Sequence, residues 1–149
     1  MNTSRAPSGP PPTFDPATIP KFSVIRVPFK FEDDVVPLSR LFVVVAHVGD
    51  QAICVKATSK TTLYENNPMQ MIGCVYYKGG EVPCFPSNTV VQPDNQIPIE
   101  HCHIKDSHLR GQVKIHTLPE DFPSRLREAV KNSQTLTRRE RKRIEALLG

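Results

Sequence analysis

A mainly β fold, with short helices confined to the C-terminal end, is what this sequence predicts. Three observations predict it. Fifteen Pro among 149 residues, with 7% aromatics and no Trp, disfavour long helices. Apolar runs rich in β-branched residues recur about every ten residues between Gly, Pro, Asn and Asp turns. A helical period emerges only after His116. The length, with 38% hydrophobic and 23% charged residues, suits one domain with its own core and excludes a long α/β barrel or a two-domain enzyme.

Residues 1–20 hold six of the 15 Pro and almost no large apolar side chains, so they read as a disordered or polyproline-like arm. Residues 21–117 read as the β domain. Its first strand runs from Phe22 to the acidic turn Glu32-Asp33-Asp34. Leu41-Phe42-Val43-Val44-Val45-Ala46 is apolar on both faces, as a central strand covered on both sides would be. The turn Val48-Gly49-Asp50-Gln51 then returns the chain as Ala52-Ile53-Cys54-Val55-Lys56-Ala57, a β-hairpin.

A hydroxyl-rich loop, Thr58-Ser59-Lys60-Thr61-Thr62, follows, and residues 64–71 continue as loop. Short strands are expected at 73–77 and 85–91, a turn at Pro93-Asp94-Asn95, and an extended segment at 97–104 broken by Pro98. Strands of this spacing build a small barrel or a sandwich. Residues 118–149 form the helical segment. Leu118, Phe122, Leu126 and Val130 recur every four residues, giving a helix from about Ser124. Thr137 and Glu140 stand in capping-box spacing before a last, marginal helix whose apolar stripe is Ile144, Leu147 and Leu148.

Four Cys without paired spacing, and no apolar leader behind a basic start, point to a reducing cytoplasm. The longest uncharged apolar stretch, 41–48, is too short for a bilayer, so no membrane partner is expected. Charge is uneven: Lys and Arg number 8 against 9 Asp and Glu in residues 1–100, but 11 against 6 in 101–149. A basic C-terminal third is compatible with a polyanion, because neutralised phosphates release counterions, and equally with a solvated basic helix.

Val27-Pro28-Phe29-Lys30-Phe31-Glu32-Asp33, then Arg40 before an apolar strand, a hairpin, and a second strand closing on Thr58-Ser59 form an ordered set over residues 22–59. In that order the sequence resembles the PemK/MazF-like toxin family, with a weaker echo to Ile104. The resemblance implies an SH3-like small β-barrel, commonly a homodimer. It further implies a growth-inhibiting toxin that cleaves single-stranded RNA without metal or cofactor and is neutralised by a cognate antitoxin protein. It places catalysis on Arg40, Thr58 and Ser59. At Leu38 and Leu41 the sequence departs from the family's Lys/Gln-x-Arg-Pro pattern.

Metal-free scission needs the 2′-hydroxyl to lose a proton and attack phosphorus in line, with donors waiting for charge on the non-bridging oxygens. Arg40 offers a planar fork of donors that stays charged, unless it is instead a surface partner of Asp33 or Asp34. Thr58 and Ser59 offer hydroxyls to the same oxygens, or simply cap the loop. No base is evident: Glu32, Asp33 and Asp34 are weak bases if exposed, and His47 lies about 20 Å along its strand from Arg40.

His101-Cys102-His103 would place both imidazoles on one face of a strand, but two ligands do not make a zinc site, and no metal is expected. The RNA-binding candidates are Lys30, Lys60, Lys105 and Arg110, together with Arg138, Arg139, Arg141, Lys142 and Arg143, which wrap most of the last helix. The second reading, from a different class, is a non-catalytic SH3-like barrel that binds nucleic acid or a protein partner. Leu38 and Leu41 favour it.

Overall fold

The computed structural model describes residues 14–149. Among them, β1 (Val24–Phe29), β2 (Leu38–Val48), β3 (Gln51–Thr58), β4 (Val75–Tyr77), β5 (Thr89–Glu100) and β6 (Lys114–His116) form one sheet in the order β4-β5-β3-β2-β1-β6. Every pairing is antiparallel. Helices α1 (Thr62–Glu65), α2 (Pro68–Met71), α3 (His101–Leu109), α4 (Phe122–Asn132) and α5 (Arg138–Leu148) are short. The fold is therefore mainly β. Its outer strands β4 and β6 do not pair with each other, so the sheet is open where a closed barrel was expected.

The hairpin β2–β3 is the centre of the sheet, as its apolar pattern requires. Gly49 makes its turn at φ 57°, a left-handed conformation that costs glycine little. Successive β2 side chains feed two separate cores. On one face Val24, Val43, Val55 and Val91 pack with Phe122, Leu126 and Val130 of α4 and with Ile144 and Leu148 of α5. On the other Ile25, Val27, Phe42, Val44, Cys54 and Ile99 meet Ile19 and, from α3, Ile104. The helical segment thus shares the sheet's core; each fully buried side chain of this size contributes about 1.5–3 kcal/mol.

Four local expectations are corrected. Residues 64–71 are not plain loop, because Asn67 caps α2 by accepting from the Gln70 amide and Pro68 fits its first turn. Pro93-Asp94-Asn95 does not reverse the chain. It is a bulge inside β5, where the partner register jumps from Gln96↔Val55 to Gln92↔Lys56. Pro98 does not break the strand, since β4 covers only residues 89–91 and β5 beyond them has one hydrogen-bonded neighbour. The extended stretch ends at Glu100, and His101 to Leu109 is helical with Ile104 and Ser107 turned inward three residues apart.

Residues 14–20, expected in a disordered arm, are packed. Asp15 caps a 3-10 turn at Pro16–Thr18, Ile19 is buried, and the Phe14 ring lies 4.2 Å from His108. The rest of the arm lies outside the described residues. The last helix is better anchored than its thin stripe implies. Thr137 and Glu140 form the expected capping box. At the far end the Lys21 ammonium donates to the Leu147 and Leu148 carbonyls at 3.2 and 3.1 Å, and Arg127 also reaches Leu148.

Candidate functional site

One end of the sheet, beyond the part that α4 and α5 cover, opens into a hollow of about 310 Å³. Strands β1, β2 and β3 form its floor, and the chain from Phe85 to Thr89 forms a wall. Four cations border it, Arg26, Arg40, Lys56 and Lys60, with Ser39, Thr58, Ser59 and Ser87, while Thr89 beside them is buried and spends its hydroxyl on the Ser87 carbonyl at 2.9 Å. Among the described residues no carboxylate and no imidazole lines it. Such a surface attracts anions and offers them both charge and neutral donors.

Arg40, Thr58 and Ser59 are brought together at this hollow, as is Lys60. The register explains why: Leu41 faces Ala57, so Arg40 and Thr58 close the same end of the β2–β3 ladder. Arg40 is nonetheless held. Its Nη2 donates to both Asp34 oxygens at 2.8 and 2.7 Å, and its guanidinium carbon lies 4.7 Å from the centre of the Phe31 ring. The Lys56 ammonium lies 5.3 Å from that ring. The Phe31 amide donates to Asp34 at 2.9 Å, and this bond, followed by Arg40, keeps the Asp34 carboxyl below the usual carboxylate range. Only Nη2 of Arg40 is engaged with Asp34; Nε is buried without a partner.

Alternation sorts the cations. Arg40 shares a face with Phe42, whereas Ser39 shares the opposite face with Leu41. Arg26 is in register with Leu41 and belongs to that second face. Thr58 accepts the Lys60 amide at 3.1 Å, which leaves its hydroxyl hydrogen free to donate outward. Ser59 and Lys60 are exposed.

The other expected RNA contacts are dispersed. Lys30 is exposed just past β1 and does not line the hollow. Lys105 and Arg110 belong to α3 and its C-terminal cap, on the face opposite α5, so they do not extend the α5 cations into one surface. Arg138, Arg139, Lys142 and Arg143 are exposed. Arg141 is not available as expected: its Nε donates to the Val130 carbonyl at 3.1 Å and its Nη2 to that of Ser133 at 2.8 Å, closing the C-terminal end of α4.

The histidines are also rearranged. On a helix His101 and His103 diverge, correcting the shared strand face. His103 Nε2 lies 2.6 Å from the Pro28 carbonyl oxygen. His101 Nε2 lies 2.9 Å from His47 Nδ1, whose Nε2 meets the Ile19 carbonyl at 2.8 Å. Among the described residues no three His, Cys, Asp or Glu gather to hold a metal ion, and no helix is long and apolar enough to cross a membrane.

Two lining cations, Arg26 and Lys56, escaped the sequence reading. Their signal was present: each interrupts an otherwise apolar strand, Val24-Ile25-Arg26-Val27 and Cys54-Val55-Lys56-Ala57, where a charge needs an outlet. Compared with family models, curated proteins and solved structures, the chain matches none.

Proposed function

We propose that this chain is a PemK/MazF-like endoribonuclease that holds the backbone of single-stranded RNA in the hollow and cleaves it without metal or cofactor. The observation that carries the reading is the lining itself: Arg26, Lys56 and Lys60 beside an ion-paired Arg40, with the hydroxyls of Ser39, Thr58, Ser59 and Ser87 around one open hollow, and no carboxylate among the described residues that line it. In the reaction the RNA 2′-hydroxyl oxygen bonds to phosphorus as its proton passes to water, and the bond to the 5′-oxygen breaks as that oxygen takes a proton from water. The products end in a 2′,3′-cyclic phosphate and a 5′-hydroxyl. Arg40, steadied by Asp34, and the hydroxyls of Thr58 and Ser59 meet the charge that develops on the non-bridging oxygens.

The long β5, bulged at residues 93–95, supports the finer reading of the open sheet as an SH3-like barrel. The same reading makes the working form a cytoplasmic homodimer whose antitoxin occupies the hollow. A second reading, a binding module without catalysis, is favoured by one observation: among the described residues neither an imidazole nor a carboxylate lines the hollow to accept the 2′-proton.

The deciding experiment incubates the purified protein with mixed-sequence single-stranded RNA in chelator, beside Arg40→Ala and Ser59→Ala. Products that survive chelator and disappear with Arg40→Ala establish the enzyme. Retention of RNA without products establishes the module. Neither binding nor products refutes both.

A further inference from the structure

We infer that the hollow continues into a second phosphate subsite built by Arg26 and Lys114, so that the site takes an oligonucleotide rather than a single phosphate. The inference rests on the RNA-binding reading above and deepens it.

The geometry begins with β1, which has β2 on one side and β6 on the other. Arg26 is in register with Leu41 across the first pair and with Lys114 across the second. Residues directly opposite in an antiparallel ladder project to the same face with Cβ atoms about 4.5–5.5 Å apart. The two cations therefore stand side by side. Both line a second hollow of about 340 Å³, bordered also by Ser39 and Gln112. Arg26 and Ser39 line the first hollow as well, so the two spaces are contiguous. At about 4.8 Å per strand, the path from β3 across β2 and β1 to β6 covers roughly 14 Å.

Electrostatics distinguishes this pair from Arg40 on the neighbouring strand β2. Arg40 has Asp34 at 2.7 Å. Among the described residues Arg26 and Lys114 have neither ion-pair nor side-chain hydrogen-bond partner, and no carboxylate borders the second hollow. Like charges placed opposite each other on a sheet repel. An anion lying between them removes that repulsion, and the adjacent side-chain amide of Gln112 and hydroxyl of Ser39 supply neutral donors. A phosphodiester next to the one in the first hollow has the charge and the oxygens to fill the place. Lys60, Arg26 and Lys114 then mark the track of the chain.

The test uses fluorescein-labelled 2′-O-methyl oligouridylate, which cannot be cleaved, titrated by anisotropy from 0.05 to 0.5 M salt. Arg26→Gln and Lys114→Gln are each compared with wild type, and Lys131→Gln, on the exposed side of α4, serves as control. Each subsite variant is expected to flatten the dependence of log affinity on log salt by about 0.7, the value for one single-strand phosphate contact. At 0.1 M salt, relative to 1 M, that is a loss of about five-fold. A second readout guards against misfolding: inorganic tripolyphosphate is expected to raise the melting temperature of wild type more than that of Lys114→Gln. Wild-type RNA binding with unaltered slopes in both variants overturns the second subsite and leaves the first standing. Failure of wild type to bind the oligonucleotide overturns both.

Discussion

Removing the Arg141 side chain tests whether this cation serves the fold or the solvent. Its guanidinium leaves α5 and donates to the carbonyls of Val130 and Ser133 at the end of α4, the first of which also accepts the Ser133 amide at 3.4 Å. Hydrogen bonds from a charged donor contribute about 1.5–3 kcal/mol each when well enclosed. These two share one partly buried guanidinium, and water can replace part of what is lost, so Arg141→Ala should cost about 2 kcal/mol. A chain of this size loses about 2–4 °C of melting temperature per kcal/mol, giving a drop of about 4–8 °C. Arg143→Ala, an exposed neighbour, should stay within about 0.5 kcal/mol of wild type. Arg141→Lys should recover only part of the loss, because one ammonium lacks the planar fork that spans both carbonyls. Thermal scans and urea titrations of the three variants provide the measurement. Equal melting of Arg141→Ala and Arg143→Ala would show that the inward contacts contribute nothing and refute the reasoning.

Two further outcomes depend on pH and on thiol burial. The Asp34 carboxyl, lowered by the Phe31 amide and by Arg40, adds stability that is complete above the free carboxylate range near 4 and disappears as pH falls through its lowered value. Urea midpoints measured between pH 6 and pH 2 should therefore fall less steeply for Asp34→Asn than for wild type; parallel curves would contradict the assignment. Burial pushes the Cys54 thiol up to about 12, so its protonated form stabilises the fold below the free thiol value near 8.5, and that contribution declines as pH rises from there towards 12. At neutral pH exposed Cys102 should react with iodoacetamide well before Cys54, read by peptide mass analysis, and early labelling of Cys54 would contradict its enclosure.

Much of the architecture is legible locally. The two-sided apolar run at 41–46 marks the central strand because alternate side chains must be buried on both faces, and the two separate cores meet there. Gly49 in the hairpin turn, the four-residue period from Phe122 to Val130 and the Thr137–Glu140 cap depend on neighbours within a few residues. The meeting of Arg40 with Thr58 also follows from a hairpin that the sequence announces, once its register is known.

What remained hidden depends on chain segments far apart in the sequence. His101 leaves the strand where its amide bonds to the Asp50 carbonyl, 51 positions away, and its imidazole meets His47. Arg141 looks identical to Arg143 in composition, and only the approach of α4's end decides which one turns inward. Arg26 and Lys114 lie 88 positions apart, yet a single ladder sets them opposite each other. Amino-acid order alone therefore determined the first three strands, the Thr137–Glu140 cap and the amphipathic helix, since periodicity and backbone preference act over one or two turns of chain. Tertiary structure alone decided which charges are neutralised and which stand open, because a charge's partner is set by strand register and helix docking, not by its neighbours along the chain.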